Sequence, residues 1–382
     1  MKITVAIDSF KGSLNTFQSG AAVSDAIHVV YPDADVQVCP LADGGEGTVS
    51  AIVSALHGEI CKVEVCGPLG QKVVAEYGVV PERRLAIIEM SAASGITLVP
   101  SEKRNPLDTT TYGVGELIFH AIEKMGCRNF LIGIGGSATN DGGIGMLSAL
   151  GFEFLDKYGN PVSRFGKGLS DIAKINTDKA LPSLKECKFE VACDVNNPLC
   201  GEFGCSRIYG PQKGADEKII RDMDSWLKNY ADLTKSVFEN ADATIPGAGA
   251  AGGLGFAFLS YLGASLTSGI ELVIRVTELE KYIKDSDIVV TGEGRLDAQS
   301  CMGKAPVGVA KTAKKYGKPV IAFSGAVTKD AGLCNEHGID AFFPIVRTPC
   351  TLSDAMKTDN AYSNLKNTAE QAFRLVKTFS KG

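Results

Sequence analysis

The sequence predicts an α/β protein: a discontinuous, doubly wound, mainly parallel-sheet (Rossmann-like) domain with a second α/β domain inserted into it. Three observations lead there. Short, continuously apolar strands alternate with helix-period segments at both ends of the chain, the pattern of a parallel sheet covered on both faces. The middle of the chain is built in another style. A length of 382 residues also exceeds what one core usually holds. Residues 1–80 plus 285–382 are therefore expected to form the Rossmann-like domain and residues 81–284 the insert. An active-site cleft is expected between them, since small-molecule sites favour such interfaces.

Residues 2–7 form an apolar run that ends at Asp8. After the loop Asp8-Ser9-Phe10-Lys11-Gly12-Ser13, the residues Val23, Ala26, Ile27 and Val30 recur at helical spacing. Residues 36–39 read as a second strand, followed by Pro40-Leu-Ala-Asp43-Gly44-Gly45-Glu46-Gly47-Thr48 and a helix over 49–56. From 61 to 90 the style changes to three strand-like runs (62–66, 73–79, 85–90) split by Gly-Pro and Pro-Glu turns, a meander. A helix over 109–125 and a buried strand over 129–132 precede Gly133-Ile-Gly135-Gly136-Ser137-Ala-Thr139-Asn140-Asp141-Gly-Gly-Ile-Gly145, which leads into a helix over 146–150. Strand, glycine-rich turn and helix together can turn backbone N–H groups toward an anion. A tight turn with Asp141 as an N-cap would look the same.

Residues 152–184 are polar and turn-rich, and 189–193 is a strand ending in Asp194-Val-Asn196-Asn197-Pro198. Residues 216–238 form a long amphipathic helix with the only tryptophan, Trp226. A second glycine cluster, Pro246-Gly-Ala-Gly249-Ala-Ala-Gly252-Gly-Leu-Gly255, leads into the apolar segment 256–262. Beyond 285 the alternation returns: strand 287–291, loop Gly292-Glu293-Gly294-Arg295-Leu296-Asp297, helix 305–316, strands 319–323 and 341–346, and a closing helix over 362–379.

Composition narrows the function. A net charge of −5 without a basic stripe argues against nucleic acid as a partner. The N-terminus lacks the apolar core of a signal peptide and no run is long enough to span a bilayer, so a cytoplasmic protein without a membrane partner is expected. The eleven cysteines are then expected to stay reduced, and Cys193, Cys200 and Cys205 lack zinc spacing. The four histidines, His28, His57, His120 and His337, stand outside every glycine-rich loop, which argues against imidazole triads. No Walker motif is present, and Gly247-Ala-Gly249-Ala-Ala-Gly252 matches dinucleotide spacing without a preceding strand.

The positive signal is repetition. Several strands end in loops of glycine, carboxylate and small hydroxyl or amide residues, and ligands of open parallel sheets bind outside the carboxyl ends of strands. Carboxylates, glycine-rich cradles and a few cations are what metal-assisted phosphoryl transfer requires.

Seven of these segments, Asp8-Ser-Phe-Lys-Gly-Ser-Leu14, Pro40-Leu-Ala-Asp-Gly-Gly-Glu-Gly-Thr48, Gly133 to Gly143, Cys193-Asp-Val-Asn-Asn-Pro-Leu199, Tyr209-Gly-Pro-Gln-Lys-Gly-Ala215, Pro246 to Gly253 and Thr291-Gly-Glu-Gly-Arg-Leu-Asp297, closely resemble the type I glycerate kinase family, in order through nearly the whole chain. The resemblance implies phosphorylation of D-glycerate by ATP with Mg2+, in this family usually at the 2-hydroxyl. It leaves open 3-phosphoglycerate as product, a glycerate-binding or sensing protein without turnover, and a monomer or a dimer.

Within that resemblance we infer candidate roles, residue by residue. Asp194 and Asp141 are the base and the Mg2+ ligand, in an undecided order, with Lys11 as third catalytic residue. Lys11 or Arg295 holds the glycerate carboxylate or the transferred phosphate. Ser9, Asp43, Glu46 and Asp297 are candidates to bind substrate, the carboxylates, like Glu293, as anchors for substrate hydroxyls or Mg2+, with N-capping the competitor for Asp43 and Asp297. Gly135, Gly136, Ser137, Thr139, Lys213, Gly249, Gly252 and Glu293 face the nucleotide. For Lys213 a solvated lysine, and for the glycines close packing, compete with that role.

Overall fold

The computed structural model describes residues 1–298 and 300–379, apart from the side chain of Met302. In chain order its strands are β1 (Lys2–Val5), β2 (Asp35–Val38), β3 (Glu59–Cys66), β4 (Lys72–Val80), β5 (Leu85–Glu89), β6 (Asn129–Gly133), β7 (Glu153–Leu155), β8 (Lys174–Asn176), β9 (Lys188–Ala192), β10 (Ser265–Thr267), β11 (Ile288–Leu296), β12 (Val320–Val327) and β13 (Ala341–Pro344). They divide between two compact units.

The first unit comprises Met1–Asp43, Ser50–Leu56 and the residues from Ile270 onward. Its sheet has the order β13-β12-β11-β1-β2, parallel throughout. The helices Thr16–Val30 and Thr358–Phe379 pack together over it. Val23, Ala26, Ile27 and Val30 of the one meet the core that Leu365, Ala369 and Phe373 of the other complete. From β1 the chain steps to β2 at one edge, whereas β11, β12 and β13 run toward the opposite edge. The direction of winding therefore reverses between β1 and β11, which is where doubly wound sheets bind ligands.

The second unit comprises Gly44–Val49 and His57–Gly269. Its six-stranded sheet has the order β10-β9-β6-β5-β4-β3, in which β5, β6, β9 and β10 are parallel and β3 and β4 antiparallel. Phe130 and Phe189 stack at 4.7 Å between ring centroids in its core. The turn-rich region after residue 152 contains a small antiparallel pair, β7 and β8.

The expected cuts at 80 and 285 fall elsewhere for a physical reason. β3 pairs with β4 along its whole length, and the end of β4, Gly78–Val80, pairs with β5, which assigns residues 59–80 to the second unit. At the other end, the helices Gly269–Val276 and Leu279–Asp285 follow the last strand of the second sheet. Ile270 fits against Gly308, a position where a Cβ would lie 2.5 Å from the isoleucine side chain, so the boundary comes before these helices.

Candidate active site

In the first unit, the strand ends on either side of the winding reversal carry carboxylates. Asp8 continues β1, its N–H donating to the carbonyl of Gly292 at 2.9 Å. It is 4% exposed. Burial, then the charge of Asp43 and more weakly that of Glu293, push its carboxyl up to about 7, against the Ser9 N–H at 2.6 Å and the Lys11 charge. Glu293 is also pushed up by burial, and accepts a 2.5 Å hydrogen bond from the Ser300 hydroxyl. Gly294 has no side chain to obstruct the backbone of Phe10 and Lys11, 3.4–3.5 Å from where its Cβ would be. Lys11 is exposed beside this centre. Arg295 is exposed and pairs with Asp297 at 3.3 Å; Asp297 also faces Lys304 at 3.8 Å and accepts the Ser300 N–H at 3.2 Å, a turn-capping contact.

In the second unit the stretch after β6 divides into an exposed and a buried part. Gly135 and Gly136 are exposed, Ser137 is half-buried, and Thr139, Asn140 and Asp141 are buried. Asp141 points inward. Its carboxylate accepts the Thr111 N–H at 2.7 Å, the Thr111 hydroxyl at 2.8 Å and the Gly143 N–H at 3.1 Å, with a further backbone hydrogen bond from Gly145. Burial raises its pKa and these donors oppose the rise. Its lone pairs thus hold the turn together and are not presented to a ligand.

Lys213, for which the sequence left a nucleotide contact and a solvated lysine in competition, is 3% exposed. Its ammonium donates to Ser137 Oγ at 2.9 Å and to the Thr139 carbonyl at 2.6 Å. Burial lowers its pKa to about 8, with the Cys205 and Asp141 charges opposing. An ammonium has three donors, and two are satisfied by these contacts.

The second glycine cluster is a packing device. Ala251, Gly252 and Gly253 are three successive left-handed residues, at φ 53°, 70° and 90°. A Cβ at Gly252 would lie well inside contact with the Thr139 carbonyl, and one at Gly253 would lie 2.8 Å from Gly142 Cα. The Gly142 N–H donates to the Gly252 carbonyl at 2.9 Å. Gly249 likewise presses on the carbonyl of Pro198. The absence of side chains here lets backbones touch.

The Gly44–Val49 segment rests on the ends of β6 and β9. Gly44 abuts Ala192, and Gly45 Cα is 3.3 Å from where a Gly135 Cβ would be. This glycine-rich turn has the form of an anion cradle, yet the anion it holds is the protein's own Glu89. That carboxylate accepts the Val49 N–H at 2.8 Å, with further backbone bonds from Gly47 and Thr48. Glu46 stays exposed. Asp194, at the end of β9, is exposed and accepts the Gly269 N–H at 3.0 Å.

The structure therefore joins Lys213 with Ser137 and Thr139, and Ser9, Lys11, Asp43 and Glu293 with Asp8. It sets Asp141, Gly249 and Gly252 inside the second unit. Asp8, Glu89 and Ser300 were given no role from sequence. A signal for the two carboxylates stands in the sequence, since both Asp8 and Glu89 follow apolar runs. Among the described residues no group of three or more His, Cys, Asp or Glu side chains is placed to hold a metal ion. Mg2+ needs no such cage, because it is commonly held by one or two carboxylates together with substrate phosphates and water.

Comparison with known proteins gives a consistent picture. The family model described as the glycerate kinase family matches residues 3–377. Glycerate kinase of Haemophilus influenzae is 47% identical over 376 residues, covering 98% of this chain and 99% of that protein. Glycerate 2-kinase of Escherichia coli is 48% identical over 365 residues, 96% of this chain and 95% of its own. A crystal structure from Salmonella typhimurium LT2, of a protein assigned as a glycerate kinase 2, superimposes with a TM-score of 0.91 at 45% identity, covering 100% of both chains.

Proposed function

The chain belongs to the glycerate kinase family, and from that premise we propose that it transfers the γ-phosphoryl group of ATP to the 2-hydroxyl of D-glycerate, giving 2-phosphoglycerate and ADP. The observation that carries the chemistry is the placement of Asp8 beside Glu293 where the first sheet reverses its winding. Phosphoryl transfer asks for positioning, charge neutralisation and a proton acceptor. Asp8 takes the hydroxyl proton: its carboxyl is poised near neutrality, the range in which a base is both available and strong enough. Lys11 and Arg295 are exposed cations suited to a carboxylate or to phosphate oxygens.

On the nucleotide side, Lys213 and Ser137 with the exposed Gly135 and Gly136 supply a charge, a hydroxyl and unobstructed backbone. Asp194 is the exposed carboxylate suited to the Mg2+ that travels with nucleotide phosphates, a role that the buried and fully engaged Asp141 does not suit. Mg2+ when bound neutralises charge on the transferring phosphate. Asp141, Gly249 and Gly252 serve the turn and its packing.

The test is ADP release coupled to D-glycerate, with phosphorus NMR of the product. Release of ADP that depends on glycerate and a 2-phosphoglycerate signal are expected. No such release would leave a binding or sensing protein, and a 3-phosphoglycerate signal would move the reaction to the other hydroxyl. Asp8→Asn is expected to lower kcat at least about a hundredfold, the scale of a general base. Wild-type kcat/KM is expected to fall below about pH 7 as Asp8 takes up its proton. An active Asp8→Asn enzyme with an unchanged acid limb would remove Asp8 from that role.

A further inference from the structure

Two thiols lie against each other beside the acidic centre of the first unit. Cys301 Sγ is 3.4 Å from Cys334 Sγ. Cys301 belongs to the short 3-10 turn Ser300–Met302, and Cys334 to the helical turn Leu333–Glu336 that packs on it. The first thiol is half-buried and the second buried. The same turn reaches the carboxylates already described: the Ser300 hydroxyl donates to Glu293 and the Ser300 N–H to Asp297. Burial first, then Cys301 and the charges of Glu293 and Asp297, push the Cys334 thiol up to about 12. Cys334 is therefore held as a thiol at neutral pH, within electrostatic reach of the site.

We propose that Cys301 and Cys334 form a reversible oxidation site, in which a disulfide made at the expense of a peroxide displaces the Ser300 turn and switches the kinase off. The effect on turnover rests on the kinase reading above; the disulfide itself does not. The half-buried Cys301 reacts first: its thiol gives up its proton, the thiolate attacks one oxygen of hydrogen peroxide, the O–O bond breaks, and a sulfenic acid and a hydroxide form, the hydroxide taking up the released proton as water. Cys334 sulfur then attacks the sulfenic sulfur, the S–O bond breaks, and its thiol proton leaves with the oxygen as water. Two thiols and one peroxide give one disulfide and two waters.

Bonded sulfurs stand about 2 Å apart, so the two must approach by more than an ångström. Cys334 and its neighbour Ala331 are fully buried whereas Cys301 is half-buried, so Cys301 is the thiol that travels, and it draws on the adjacent, fully buried Ser300. A hydrogen bond of 2.5 Å between Ser300 and Glu293 does not survive a shift of that size within ordinary hydrogen-bond range.

The experiment treats the full chain with hydrogen peroxide and reads two things. Trypsin cuts after Arg295, Lys304, Lys329 and Arg347, so the disulfide links peptides 296–304 and 330–347 in a mass spectrum under non-reducing conditions. Glycerate-dependent ADP release is followed in parallel and is expected to fall at least about tenfold and to return with dithiothreitol. Cys334→Ser, tested beside Cys301→Ser in case one disturbs the fold, should keep its activity under the same treatment. Absence of the linked peptides while the exposed Cys350 is oxidised would overturn the proposal. So would a linked protein of unchanged turnover, or equal loss of activity in Cys334→Ser. A linked protein whose untreated form releases no ADP would instead overturn the kinase reading and the switch built on it, leaving the oxidation site.

Discussion

Replacing Lys213 with methionine removes a buried charge while keeping much of the side-chain length, and two effects oppose each other. Burial lowers the ammonium pKa from 10.5 to about 8, which at 1.36 kcal/mol per pH unit costs the folded state about 3 kcal/mol near neutral pH. Against this stand the charge-assisted hydrogen bonds to Ser137 and Thr139, each worth about 1.5–3 kcal/mol. The two nearly cancel, so stability at one pH says little. Its pH dependence is free of that cancellation. Between the folded value of about 8 and the unfolded value of 10.5, the unfolded chain binds more protons, and stability rises with pH. Relative to Lys213→Met, the wild type should gain about 2 kcal/mol from about pH 7 to about pH 9.5. Urea unfolding at a series of pH values reads this through Trp226, the only tryptophan, which packs on the core of the same unit. Parallel wild-type and variant curves would refute the burial of a charged lysine at this position.

Asp141→Ala strips the partner from the N–H groups of Thr111, Gly143 and Gly145, and at about 1–3 kcal/mol for each donor left buried and unpaired it should destabilise by at least about 3 kcal/mol. Thermal unfolding checks this; a variant of unchanged stability that has lost turnover would return Asp141 to the chemistry. Asp194→Asn should behave in the opposite way. Its exposed carboxylate contributes within about 0.5 kcal/mol to stability, while glycerate-dependent turnover should fall at least about a hundredfold. Near-normal turnover would remove Asp194 from any role in proton or metal handling.

Much of the first sheet was legible because its information is local: an apolar run, a carboxylate, a glycine turn and a helix-period segment follow one another within some thirty residues. That is why the strand ends at Asp8 and Glu293 could be located before their neighbours were known. The second unit is built from contacts that no window contains. Lys213 meets Ser137 across 76 positions and Thr139 across 74, and nothing in Gly-Pro-Gln-Lys-Gly says whether its lysine faces water. Nor does composition separate the uses of glycine. Gly135 and Gly252 look alike in sequence because both need the absence of a side chain, but at Gly252 a Cβ would collide with another backbone, whereas Gly135 stands exposed. The same ambiguity holds for carboxylates after glycine turns. Asp141 and Glu89 spend their charge on donors of their own unit, and at Asp141 the Thr111 N–H and hydroxyl with the Gly143 and Gly145 N–H groups occupy its acceptor sites. The excess of glycine and acid at strand ends therefore divides into two populations, one whose carboxylates are met by several donors of their own unit, as at Asp141, and one kept near neutrality by burial and neighbouring acids, as at Asp8. The donors around a carboxylate, not motif membership, separate the two.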